Sequence, residues 1–152
     1  MAKYVVDTNV LIDVLRSAAD RQAYEHFLRH GLALTYVSAV VGMELLAGAR
    51  SDAHALALES ELLGPFQRRD RVFEPSAGAL LTVGRLLSRL TASGKPLPSR
   101  SFVNDLMIGV SCRERGLTVL TRDPDFQRVR RLVPGLRVEA PFPELRRPKT
   151  GT

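Results

Sequence analysis

The chain holds a single cysteine, Cys112, and no tryptophan among its 152 residues. One cysteine excludes an internal disulfide and any thiolate-built zinc cluster. Lysine is almost as scarce, with only Lys3, Lys95 and Lys149, so the basic character rests on arginine. Long apolar runs are missing too. The most apolar stretch, residues 32–41, is broken by Thr35, Tyr36 and Ser38 and falls far short of the roughly 20 residues a spanning helix needs. The opening MAKYVVDTNV has no charged leader ahead of an apolar segment and a small-residue cleavage site, so no secretory signal is expected. These absences predict a cytoplasmic chain with no membrane association.

The length and a composition of 45% hydrophobic and 25% charged residues suit one soluble domain with one core. A single domain is expected over 1–140, followed by a basic, Pro-rich tail over 141–152. The net charge is +6, and its distribution is uneven. Residues 113–152 hold ten Arg/Lys against five Asp/Glu, and residues 1–112 hold twelve against eleven, so the last forty carry +5. Arg122, Arg128, Arg130 and Arg131 lie in this region and are candidate RNA contacts, because a guanidinium face attracts a polyphosphate without regard to sequence. A solvated, solubilising surface accounts for the same charge.

Short apolar strands alternate with helical stretches. Strands are expected at 4–6, 33–37, 71–73, 117–120 and 136–138. One or two helices are expected over 10–28, another over 38–49 with Val37, Val41 and Leu45 stepping by four, and another over 53–63 stopped by Gly64-Pro65. Pro75 opens a helix with the apolar stripe Leu80, Val83, Leu87 and Leu90. The segment 92–101, ASGKPLPSRS, is a loop; 102–115 is a helix capped by Gly116. This alternation predicts an α/β fold: a parallel sheet of four to five short strands flanked by helices. In such sheets ligand sites form beyond the carboxyl ends of the strands.

Four acids interrupt apolar contexts: Asp7 in VVDTN, Glu44 in VVGMELLAG, Asp105 in SFVNDLMIGV and Asp123 in VLTRDPDF. Each has a structural explanation. Asp7 or Thr8 can cap a helix, Asp105 can favour a helix's first turn, and Asp123-Pro124 can form a turn. Glu44 must turn to solvent or find a cationic partner. Two of the four come from strand ends and two from helices that can pack beside those ends. Converging carboxylates repel one another unless some are protonated or a cation lies between them. With no thiolate and three scattered histidines, the fitting ion is a hard one, Mg2+ or Mn2+.

The succession VVDTNVLID, SAVVGMELLAGAR, NDLMIGVSC and VLTRDPDF resembles the PIN-domain family, in particular the VapC-type toxins of bacterial toxin-antitoxin pairs, over residues 4–138. The resemblance implies a PIN-like fold and a metal-dependent endoribonuclease whose four acids are Asp7, Glu44, Asp105 and Asp123. It implies supporting roles for Asn9, which would orient the first acid, for Thr121, and for Asp125 in the outer shell. It also implies an RNA substrate, a cognate VapB-type antitoxin and a homodimer. Gly109, Val110 and Ser111 depart from a stretch that is often alanine-rich in that family, and the tail from Pro141 is longer than the resemblance explains.

Carboxylate-held magnesium supports phosphodiester hydrolysis by activating water and neutralising charge on a phosphate oxygen. Asp7 and Asp105 are expected as direct ligands, Glu44 and Asp123 as ligands through water, with Mg2+ replaceable by Mn2+. A haloacid-dehalogenase-type phosphotransferase would need a second acid where Asn9 stands, and a receiver-like phosphoacceptor lacks its partnering lysine. The reading from another class is a non-catalytic RNA- or partner-binding module. Substitution of one acid separates the two, since a binder loses nothing that depends on turnover. His26, His30 and His54 show no metal-site spacing, and Arg68, Arg69 and Arg71 form a run that reads as a solvated turn or as part of an RNA-holding face.

Overall fold

The computed structural model describes residues 1–145. Its strands are β1 (Lys3–Val6), β2 (Thr35–Ser38), β3 (Val72–Phe73), β4 (Leu117–Leu120) and β5 (Arg137–Glu139). Its α-helices are α1 (Thr8–Arg16), α2 (Ala18–Gly31), α3 (Ala39–Ala47), α4 (Asp52–Leu58), α5 (Gly64–Gln67), α6 (Ala77–Ala92), α7 (Arg100–Arg115) and α8 (Asp125–Leu132). None of the described helices is long and apolar enough to cross a membrane. The sheet is parallel throughout, in the order β3-β2-β1-β4-β5. Its middle strands are apolar runs, KYVV and LTVL, because helices cover both faces; all four residues of β4 are buried.

Strand order positions the site. From β1 the chain steps outward through β2 to β3, then returns to place β4 on the other side of β1 and β5 beyond it. The reversal falls between β1 and β4, which opens a crevice past their carboxyl ends. Register closes it tightly: Val6 pairs with Leu120, and the next amide, Asp7 N–H, donates to the Leu120 carbonyl at 3.0 Å. Asp7 therefore leaves β1 at the level where β4 ends.

Serines start the helices that frame this crevice. Ser38 caps α3 and Ser99 caps α7, each hydroxyl accepting an orphan helix N–H at 3.2 Å. Gly116, at φ +66°, ends α7 in the left-handed conformation that a glycine adopts without steric cost. Along α7, a Cβ on Gly109 would lie 2.7 Å from Val129 Cγ1 of α8 and 3.1 Å from Leu136 Cδ2. Where the family resemblance leads one to expect alanine, close packing of α7 on α8 requires glycine. Gly109→Ala should therefore lower the melting temperature, because overpacking of about 1–3 kcal/mol outweighs a helix-propensity gain of about 1 kcal/mol. An unchanged or higher midpoint would show that Val129 yields without cost.

Several expected elements differ in detail. Residues 32–34 form a 3-10 turn rather than the start of β2. Gly64-Pro65 does not stop the preceding helix. The backbone widens through a π-helical segment at Glu59–Leu63, and Pro65 then sits at the start of α5, where its missing N–H costs nothing. The buried stripe of α6 is Ala79, Val83, Leu86 and Leu90, with Leu80 about half exposed and Leu87 only partly buried. The small Ala79, rather than Leu80, faces inward. The start of the expected tail packs onto the domain, with the Phe142 ring 5.3 Å from Phe27 and 5.7 Å from Tyr24. Positions 146–152, with Arg146, Arg147 and Lys149, lie outside the described residues.

Candidate active site

Asp7 follows β1 as the N-cap of α1 and is 2% exposed. Both of its oxygens are engaged: Oδ1 accepts the Thr8 N–H and Oδ2 accepts the Thr121 hydroxyl, each at 2.8 Å. Thr121, just past β4, is fixed in turn because its Oγ1 accepts the Asp123 N–H at 3.0 Å. One threonine hydroxyl thus ties the exit of β1 to the exit of β4. Burial pushes the Asp7 carboxyl up to about 6, against the two hydrogen bonds, with the charges of Asp123 and Glu44 adding to the rise.

Asp123 occupies the turn into α8. Its Oδ2 accepts the Asn9 carboxamide N–H at 2.9 Å and its Oδ1 accepts the Asp125 backbone N–H at 2.9 Å. Asn9 therefore orients the last of the four acids, not the first as expected, because Asp7 already takes its donors from Thr8 and Thr121. Glu44, half-buried on α3, accepts the Thr8 hydroxyl at 2.9 Å through Oε1. Thr8 serves two acids, its amide on Asp7 and its hydroxyl on Glu44. The sequence offered only its adjacency to Asp7 as a signal.

Asp105, in the first half of α7, is the exception. It is 5% exposed, and among the described residues no hydrogen-bond donor reaches its carboxylate. Burial raises its carboxyl to about 8, with repulsion from Asp7, Asp123, Glu44 and Asp125 adding to the effect. One oxygen each from Asp105, Asp123 and Asp125 lies within 4.8 Å of the others. The structure thus brings Asp125, expected only in an outer shell, into the same group as Asp105 and Asp123. Asp7 and Glu44 stand beside it, coupled by charge and anchored by the two threonines. All the donor atoms are carboxylate oxygens, which fits a hard divalent ion and excludes a soft one.

The candidate arginines divide. Arg122 is committed within the protein, pairing with Asp13 at 3.3 Å and Asp20 at 3.0 Å. It clamps the β4–α8 turn to α1 and α2. The Arg128 guanidinium lies over the Phe102 ring, 4.3 Å from its centroid, which joins α8 to the start of α7. Arg130 and Arg131, in the last turn of α8, are exposed.

The family model described as PIN domain matches residues 4–132. A comparison with curated protein sequences finds no match. Solved structures with the same fold include DNA-bound VapBC from Salmonella typhimurium, at 25% identity and TM-score 0.64, covering 92% of this chain and 98% of that one. VapBC-5 from Mycobacterium tuberculosis matches at 26% identity and TM-score 0.53, covering 92% and 98%. VapBC2 from Rickettsia felis, bound to a promoter DNA fragment, matches at 20% identity and TM-score 0.61, covering 90% and 97%.

Proposed function

Because the chain belongs to the PIN-domain family, we propose that it is a divalent-metal-dependent endoribonuclease and the toxin of a VapBC-type toxin-antitoxin pair. The observation that carries the reading is Asp105: a buried carboxylate with no donor, grouped with two further carboxylates. Such a group is stable only when protonated or when a cation completes it. Asp105, Asp123 and Asp125 would hold the ion, with Asp7 and Glu44 completing the surround directly or through water. The similar VapBC complexes support a VapB-type antitoxin partner, and a homodimer belongs to the same reading.

The residues divide the work. A Mg2+ or Mn2+ ion bound there supplies charge neutralisation at a phosphate oxygen and a supply of hydroxide near neutral pH. Asp7 is held rigid by Thr8 and Thr121, so its free lone pairs point in a fixed direction. Asn9 and the Asp125 amide do the same for Asp123. Glu44, held by one hydroxyl on an otherwise apolar helix, is the group placed to orient water. Preorganisation of this kind lowers the cost of assembling the reacting geometry.

Arg130 and Arg131 offer the exposed positive surface on the helix that begins at Asp125. Replacing both by glutamine should weaken RNA binding and reduce the slope of log affinity against log salt by about 1.4, at about 0.7 per phosphate contact on a single strand. An unaltered slope would take α8's last turn out of the contact surface.

The reading is tested by incubating cellular RNA with the purified, antitoxin-free protein in Mg2+, in Mn2+ and in chelator. Discrete products formed only with the ions are expected. RNA that is bound but intact under all three conditions would replace the nuclease with a non-catalytic binding module.

A further inference from the structure

We propose that a cleft at the amino-terminal side of β2 and β3, lined by Arg29, His30, Arg69 and Arg71, is a second phosphodiester-binding site that holds RNA away from the carboxylates. The inference rests on the ribonuclease reading for the identity of the polymer. The cleft has a volume of about 680 Å³ and is walled on its apolar side by Leu28, Leu32 and Ala33. It lies before the strands begin, whereas the acids lie beyond the ends of β1 and β4. It is thus separate from the crevice at the strand-order reversal.

Three features indicate an anion. First, the cleft arginines form no ion pair: the ion pairs among the described residues all involve Arg122, so no carboxylate pairs directly with Arg29, Arg69 or Arg71. Second, two of the arginines are held in place. Arg71 lies over the Tyr36 ring, 4.9 Å from its centroid, and its buried Nη1 has no acceptor. Arg69 is braced by a 3.0 Å hydrogen bond from Nη1 to the Pro65 carbonyl. Arg71 lines the cleft, and its planar guanidinium fork suits two oxygens of an incoming phosphate.

Third, the backbone makes a special arrangement to put these arginines together. Asp70 adopts φ +52°, a left-handed conformation uncommon for a residue with a side chain. The tight turn is closed by the Asp70 N–H to Gln67 and the Arg71 N–H to Phe66. The residues on either side of Asp70 then line one cleft. The Leu28, Leu32 and Ala33 wall gives a sugar or base an apolar surface beside the phosphate, which suits a nucleotide chain better than an isolated acidic side chain.

The test is RNA binding by the full chain in chelator, measured over a range of salt concentrations with a mixed-sequence single-stranded RNA. Arg69→Gln/Arg71→Gln should reduce the salt slope by about 1.4. Arg29→Gln/Arg69→Gln should do the same while leaving the Arg71–Tyr36 stack intact, so a folding defect in the first pair cannot mimic the result. Arg85→Gln/Arg89→Gln, on α6, should leave the slope unchanged. Slopes equal to wild type in both cleft pairs would overturn the inference even if the wild type cleaves RNA with Mg2+. Absence of both RNA binding and cleavage by the wild type would remove the inference together with the ribonuclease reading. A poly-glutamate peptide that binds the wild type but not the cleft variants, with RNA slopes unchanged, would also overturn it and assign the cleft to an acidic peptide.

Discussion

Asp105→Asn is expected to make the ion-free protein more heat-stable while abolishing its RNA cleavage. Asp105 is buried, receives no donor and faces four other carboxylates. An asparagine of nearly the same shape removes the charge and offers an amide to the neighbouring Asp123 and Asp125 oxygens, which lie within 4.8 Å of an Asp105 oxygen. The gain should be small near pH 4, where Asp105 is protonated in the folded chain and partly so in the unfolded one, and should grow through pH 8 to several degrees at pH 9, where the folded chain too has lost the proton. For a chain of this length each kcal/mol of relieved repulsion raises the midpoint by about 2–4 °C. Cleavage with Mg2+ should fall by at least about 100-fold, since charge stabilisation by an ion contributes several kcal/mol and each 1.4 kcal/mol is about tenfold. A variant that melts below wild type at pH 9 and still cleaves RNA would show that Asp105 is a structural helix residue.

The second large effect is on pH dependence. Asp105 and Asp7 have folded-state values of about 8 and about 6, both raised chiefly by burial from an ordinary value of 3.8. Between pH 4 and pH 8 the folded chain therefore binds more protons than the unfolded chain. By linkage, its ion-free stability falls as pH rises across that window. A divalent ion requires the deprotonated carboxylates, so the rise in melting temperature caused by saturating Mg2+ should run the other way. It should be slight at pH 5 and grow until about pH 8. Melting curves of wild type and Asp105→Asn, with and without Mg2+, isolate the contribution as a difference between the two proteins. A Mg2+ effect independent of pH would mean that the ion binds elsewhere, at carboxylates of ordinary acidity.

The sequence allowed the frame of this site to be read, because its signals are local. VVD at a strand end, a glutamate within VVGMELL, and an aspartate after VLTR each stand out against their immediate neighbours. The alternation of strands and helices predicts the parallel sheet, and a parallel sheet predicts which edge the acids share. The pairings between distant residues carry no comparable signal. Asn9 meets Asp123 across 114 positions, and Arg122 meets Asp13 and Asp20 across 109 and 102. Nothing near Arg122 distinguishes a clamp from an RNA contact. Thr8 looks like a helix-capping neighbour, and its hydroxyl is directed at Glu44 only because α1 and α3 pack side by side.

The misplaced elements have an equally physical cause. Gly64-Pro65 is a strong stop signal in isolation. Here a π-helical segment lets Leu62 and Leu63 both reach the core before the chain restarts at Pro65. On α6 the stripes through Leu80 and through Ala79 share Val83 and Leu90. Counting apolar residues favours the leucine, whereas the closeness of α6 to the rest of the core selects the alanine. Gly109 shows the same preference for close approach, and there too volume rather than hydrophobicity decides.

Asp105 is a carboxylate that needs either a proton or a cation. The direct measurement is a calorimetric titration of Mn2+ into the wild-type chain at pH 7, repeated in two buffers of different ionisation enthalpy. The predicted result is release of about one proton for each ion bound, as Asp105 gives up its proton to make room for the metal, with binding greatly weakened in Asp105→Asn. Binding of equal strength in the variant, or binding by the wild type with no proton released, would contradict it.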